Sequence, residues 1–149
     1  MDRLVGTYIV DHVFFFDETD NEIDAVVHDL STPENRLSVF LWDHLLPDHR
    51  AGTVIKGLLT LVFVLGFEKR HEDSMVMHIQ ETNRVGLKAV VKVEKIHDDF
   101  TVLVKTDFSD KLLLVEFEDN VHPEIGDLIY VEGELRLEEP KRTLEDFLG

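Results

Sequence analysis

Gly126-Asp-Leu-Ile-Tyr-Val-Glu-Gly-Glu-Leu-Arg-Leu137 is the stretch that decides the fold. Gly126-Asp127 is a turn pair, and Leu128, Tyr130 and the alternation that follows are expected to place one face of a strand inward. Gly133 interrupts the alternation in mid-strand, where glycine marks a sharp bend or a close backbone approach. Just upstream, Lys111-Leu-Leu-Leu-Val-Glu-Phe117 is another strand-like run, linked to Gly126 through Glu118 and Pro123. The same succession occurs earlier as Arg36-Leu-Ser-Val-Phe-Leu-Trp42, then Asp43, Pro47 and Gly52-Thr-Val-Ile, then Gly57-Leu-Leu-Thr-Leu61. The offsets are 75 residues at the first strand, 74 at the first glycine and 76 at the second. A recurrence of this length marks a repeated structural unit of about 70 residues.

Before each copy stands a long strand with a hairpin partner: Leu4–Phe16 with Glu22–Leu30, and Gly86–His97 with Phe100–Thr106. The remaining β-branched and aromatic runs are Arg36–Trp42, Thr53–Phe67, Met75–Gln80, Lys111–Phe117 and Asp127–Leu137, which makes nine predicted strands. Asp17-Glu18-Thr19-Asp20-Asn21 and His97-Asp98-Asp99 are hairpin-length connections in which Asp and Asn satisfy their own backbone. No long stretch carries a 3.6-residue period, so the chain reads as all-β.

The order of long strand, hairpin, third strand, connection and Gly-Asp-Leu-Ile-Tyr-Val-Glu-Gly-Glu-Leu-Arg-Leu resembles the OB-fold, a five-stranded Greek-key barrel. The resemblance implies two tandem small OB-like units packed together, one over residues 1–82 and one over 83–149. Each is small for an independent core. Met75–Gln80 is the expected fifth strand of the first unit. The second unit has none, because Leu137 is followed by Glu-Glu-Pro-Lys-Arg. Either that unit stays open or another segment completes it. Pro140 and the capping pattern Thr143-x-x-Asp146 predict a short C-terminal helix over Thr143–Leu148, packing Leu144, Phe147 and Leu148 onto the second unit. The same tail is similar to the acidic, Phe-containing tails of bacterial single-strand-binding proteins, without their terminal Phe. A single nine-stranded barrel or sandwich is the competing architecture.

The chain has 149 residues and no cysteine, which excludes a disulfide scaffold, a thiolate nucleophile and Cys-ligated metal sites. The start, MDRLVGTYIVDH, lacks a basic segment followed by an apolar core. The apolar run Leu58–Phe67 is about half a membrane-crossing helix. A cytoplasmic protein without a membrane segment is the expectation. None of Ser31, Ser38, Ser74 or Ser109 sits in a nucleophile elbow, and no Gly-rich phosphate loop is present. The reading is therefore non-enzymatic, with no catalytic residues and no cofactor. The groupings Asp43-His44 with Asp48-His49, and His71-Glu72-Asp73 with His78, match no compact ligand signature, and no metal site is assigned. His12 and His28 are expected to pack together across the first hairpin.

Charge points toward partners. The 15 Lys+Arg and 31 Asp+Glu give a net charge of −16. Residues 1–35 and 112–149 each carry −8, whereas 36–83 carry −1 and 84–111 carry +1. The leading reading is an acidic protein-interaction module, of the kind that inhibits or confers immunity against a basic protein, because opposite charge speeds and selects association. Its candidate contact residues are Asp17, Glu18, Asp20, Glu22, Asp24, Glu116, Glu118 and Asp119. The alternative is a single-stranded nucleic-acid binder, which needs cations for phosphates and aromatics for bases. That reading takes Trp42, Arg84, Lys88, Lys92, Lys95, Phe100 and Lys105. A sheet edge left by an incomplete second unit would favour a homo-oligomer.

Overall fold

The computed structural model describes residues 3–140, and the expected helix over Thr143–Leu148 lies outside them. Ten strands form: β1 (Gly6–Asp17), β2 (Glu22–Asp29), β3 (Arg36–Trp42), β4 (Val54–Val64), β5 (Glu68–Lys69), β6 (Met77–Ile79), β7 (Gly86–Ile96), β8 (Thr101–Lys105), β9 (Leu113–Phe117) and β10 (Leu128–Glu138). A 3-10 turn at Asp43–Leu45 follows β3. Among the described residues no helix is long and apolar enough to cross a membrane. Period-2 burial is clear in β10 and in the first half of β1, whereas β3, β8 and β9 are buried at consecutive positions. In β3, Leu37, Val39 and Leu41 are fully buried in the main core. In β10 the inward face is that of Ile129, Val131, Leu135 and Leu137, whereas Leu128 and Tyr130, expected to lead the inward face, are only half-buried on the other side.

All ten strands belong to one sheet, and two closed circuits of hydrogen-bonded neighbours run through it. In the first, β1 pairs with β2, β2 with β3, β3 with the end of β10, β10 with β4, and β4 returns to β1. In the second, β7 pairs with β8, β8 with β9, β9 with the end of β4, β4 with β10, and β10 returns to β7. Each circuit is completed by a strand from the other copy of the repeat. The first half of β4 lies against β1 at Val54–Gly57, and its later residues Thr60, Leu61 and Val64 run parallel to β9. Likewise β10 lies against β7 over Leu128–Glu134 before Arg136 pairs with Phe40 of β3 in parallel. The segment expected as a fifth strand, Met75–Gln80, does not enter the first circuit. Its core, β6, runs antiparallel to β7, with Met77 opposite Val90. The Gln80 side chain instead grips the β3 backbone, accepting from Ser38 N–H (2.8 Å) and donating to Ser38 C=O (2.7 Å).

The two copies share specific contacts. Gly52 N–H donates to Val10 C=O (2.7 Å) and Gly126 N–H to Val93 C=O (2.8 Å). Val10 N–H donates to Thr53 C=O (3.0 Å) and Val93 N–H to Asp127 C=O (2.9 Å). Register shifts follow at Val10/His12 in β1 and Val93/Lys95 in β7. Gly52 and Gly126 both have positive φ, +86° and +93°, which glycine adopts without a side-chain clash.

Where β4 and β10 meet, Leu58–Leu61 runs antiparallel to Leu135–Glu138, and Thr60 is opposite Arg136. A shift of 76 residues carries Thr60 onto Arg136, Gly57 onto Gly133 and Val62 onto Glu138, so the join sits on a pseudo-twofold axis. The glycines flank it as matching contacts. A Cβ on Gly133 would lie 2.5 Å from Val62 C=O, and one on Gly57 would lie 2.7 Å from Glu138 C=O. Both obstacles are backbone, so neither yields to a rotamer change. Gly133→Ala is expected to lower unfolding free energy by about 1–3 kcal/mol in urea titration, the usual cost of overpacking. Gly66→Ala, with nothing within 4 Å of its Cβ position, should stay within about 0.5 kcal/mol of wild type.

Candidate functional site

The strand exchange leaves a groove of about 1230 Å³ over the outer faces of β7 and β10, where the two circuits adjoin. Glu132 and Glu134 of β10 and Lys88 of β7 contribute to its lining, the segment Phe63–Glu68 forms one wall, and Ile79 with the turn Glu81–Gly86 forms the other. Asp24 reaches it from β2. The register accounts for this convergence, because Asp24 is opposite Phe40, Phe40 is beside Arg136, and Glu132 is opposite Lys88. A smaller cleft of about 220 Å³, lined by Arg70, Met77 and Val90 among others, shares Ile79, Lys88 and Tyr130 with the groove.

Two kinds of surface meet in the groove. Large apolar side chains stand in solvent: Phe63 is 55% exposed, Leu65 79% and Ile79 60%. Around them are the carboxylates of Asp24, Glu68, Glu81, Glu132 and Glu134 against the cations of Arg84 and Lys88. Glu81 is paired with Arg84 (3.0 Å), Glu68 with Arg70, and Glu132 accepts from the Tyr130 hydroxyl. Glu134 lies 3.8 Å from Arg136 Nε, and the Arg136 guanidinium is itself stacked over Phe40 (4.6 Å) and Phe63 (5.0 Å). Partial burial, and then the negative charges of Glu134 and Glu22, push the Asp24 carboxyl above its ordinary value.

Of the expected acidic contact residues, only Asp24 lines the groove. Asp17, Glu18 and Asp20 occupy the tip of the β1–β2 hairpin, where Asp17 accepts from Thr19 N–H (2.9 Å). Carboxylate oxygens of Asp17, Asp20 and Glu22 come within 4.8 Å of one another, the one grouping among the described residues compact enough for a cation. Glu116 is opposite Thr101, and Glu118 N–H donates to Val64 C=O (2.8 Å), so Glu116, Glu118 and Asp119 lie at the far end of β4.

The expected cationic set also divides. Lys88 and Arg84 line the groove, whereas Lys92 is directly opposite Lys105 on the neighbouring strand and Lys95 is opposite Leu103. Trp42 packs edge-on against Phe40 (4.9 Å), and Phe100 lies at the β7–β8 hairpin, remote from Trp42 in the sheet order. The histidines form separate pairs. His28 Nδ1 meets Asp11 (2.9 Å), which also holds Arg36 Nε (3.1 Å). His78 Nδ1 meets Asp107 (2.8 Å), His44 meets Glu139 (2.7 Å), and His49 packs on Phe16. His12 and His28 do not pair: His12 is opposite Val26 and His28 opposite Ile9.

Sequence reasoning missed Phe63, Leu65, Ile79 and Arg136. The first two lie in the apolar run Leu58–Phe67, where nothing in the pattern distinguishes an outward from an inward residue. No protein-family model, curated protein or solved structure matches this chain.

The Asp24 shift has a measurable sign. A carboxyl raised in the folded state binds its proton more tightly there than in the unfolded chain. Its stabilising contribution is therefore complete below the unfolded value of about 3.9 and is lost as pH rises through the folded value. Asp24→Asn should accordingly raise the melting temperature at pH 7, and the gain over wild type should disappear as pH falls below about 4. A constant gain across pH 3–7 would contradict the charge crowding at Asp24.

Proposed function

We propose that the protein is a non-enzymatic binding module that captures a basic partner protein on its acidic surface, with the groove as the principal contact. One observation carries this reading: the groove combines exposed Phe63, Leu65 and Ile79 with five carboxylates against two cations. An exposed apolar patch within a polar rim is the usual composition of a protein contact site. The net charge of −16 extends the attraction beyond the groove and selects against acidic partners. The fold reading that accompanies it is a pair of OB-like barrels in which each unit's fourth strand continues as the other's fifth. It is supported by the circuit order β1-β2-β3-β10-β4 and by its counterpart β7-β8-β9-β4-β10.

A second reading, single-stranded nucleic-acid binding, is favoured by one feature. Lys92 and Lys105 are directly opposite, an arrangement that costs stability unless an anion bridges them. Arg70, stacked on Tyr130 at 4.8 Å, lies beside this strip, since its N–H donates to Leu128 C=O and Leu128 is opposite Lys92. The protein-partner reading is preferred because the surface as a whole repels phosphates.

Fluorescence anisotropy with a labelled peptide of alternating lysine and leucine separates the two. At ionic strengths of about 0.01 and about 0.15 M, saturable binding that weakens with salt is expected. The double variant Asp24→Asn/Glu134→Gln should bind about tenfold more weakly while melting no lower than wild type. No saturation at low salt would refute the protein-partner reading. Saturable binding of a labelled oligothymidylate, abolished by Lys92→Glu, would establish the nucleic-acid reading in its place.

A further inference from the structure

Phe63 departs from two rules. Four non-glycine residues among those described have positive φ: Asn21, His49, Asn83 and Phe63. The first three lie outside the strands and are types that tolerate the left-handed region, whereas Phe63 is a bulky residue within β4 at φ +59°. A bulky apolar residue is ordinarily buried, and a strained one persists only where its surroundings over-determine it, yet more than half of the Phe63 surface is in solvent.

The surroundings explain how the conformation is enforced. Between Leu61 and Val64, β4 advances three residues while β9 advances two, from Val115 to Phe117. That extra residue is a bulge, the device by which strands re-aim a side chain. The bulge turns Val62 C=O toward Gly133, where only glycine leaves room. It also sets the Phe63 ring over the Arg136 guanidinium, whose other contact is the ring of Phe40. Arg136 Nε is buried without a hydrogen-bond partner, so stacking is a principal hold on this group. A ring backed in this way is fixed before any partner arrives and loses little freedom on binding.

We propose that Phe63 is the anchor of the groove: an apolar side chain of a basic partner protein packs on its exposed ring, beside a partner cation received by Asp24 and Glu134. The proposal rests on the protein-capture reading above and adds a requirement that charge alone does not impose. The partner segment must present an apolar residue next to its lysine or arginine. Charge complementarity selects this occupant, since the carboxylates around the ring repel the phosphates that would accompany a stacked base.

The test compares two labelled peptides, one alternating lysine with leucine and one alternating lysine with serine. Wild-type protein should bind the leucine peptide about tenfold more tightly, a difference typical of one buried anchor. Phe63→Asn, which accepts positive φ, should reduce that ratio to about one, leave the affinity for the serine peptide unchanged, and not lower the melting temperature. Phe63→Gly accepts the same φ and serves as a second variant should the asparagine fold poorly. A ratio near one in wild type, or a tenfold ratio that survives both substitutions, overturns the anchor while leaving capture by charge intact. Failure of both peptides at low salt overturns the capture reading and the anchor with it. Binding of an oligothymidylate that is lost in Phe63→Asn assigns the ring to bases and refutes the proposal.

Discussion

Leu58–Leu61 and Leu135–Glu138 run antiparallel, and both closed circuits of strands pass through them. The main core has the same dependence, because Leu59, Leu61, Leu135 and Leu137 are buried in one continuous cluster with residues from β1 to β3 and from β7 to β9. Truncating a leucine at such a site typically costs about 2–5 kcal/mol, a large share of the total stability of a domain this size. The join also sets how closely the strands approach. Each flank ends on a glycine against a carbonyl, and beyond the join β4 and β10 part, β4 continuing along β9 and β10 lying along β7.

The groove follows from that departure. Beyond Leu61, β4 lies in parallel along β9 while β10 lies along β7, so the segment Leu65–Phe67 crosses from β4 to β5 as a wall. The bulge between Leu61 and Val64, just past the point where β10 parts from β4, is the one that holds Phe63 outward. A close backbone contact, an extra residue and an exposed aromatic ring are thus consequences of one topological exchange. Among the described residues the groove is flanked by β5 along β10 and by β6 along β7.

Much of the strand content was legible in the sequence, because a short run of β-branched, aromatic and other apolar residues between turn residues, as in Arg36–Trp42, is a local property. The repeat was legible for a similar reason: Gly52 and Gly126 are placed by a backbone requirement that recurs wherever the same turn recurs. The exchange of completing strands was not, since pairing between β4 and β9 or β10 and β3 joins residues about 50 to 95 positions apart and leaves no local trace. Met75–Gln80 had strand composition in the expected place, but only its three residues Met77–Ile79 pair as a strand, along β7, and Gln80 instead holds Ser38. Asp24 was legible as an acidic residue and not as a groove residue, because its neighbour Glu134 lies 110 positions away.

Acidity by itself is a weak argument for a partner, since solvated carboxylates also serve solubility. What distinguishes the groove is that its features work against the fold that carries them. Asp24 is crowded by two carboxylates and partly withdrawn from water, which costs stability at neutral pH. Phe63 is held in a conformation that phenylalanine disfavours, with most of its ring outside the core. Solubility requires neither arrangement: an exposed Asp elsewhere on β2 and a glycine at 63 would serve it better. Local rules broken side by side, on a surface that the core does not use, are what a protein retains when the surface meets something else.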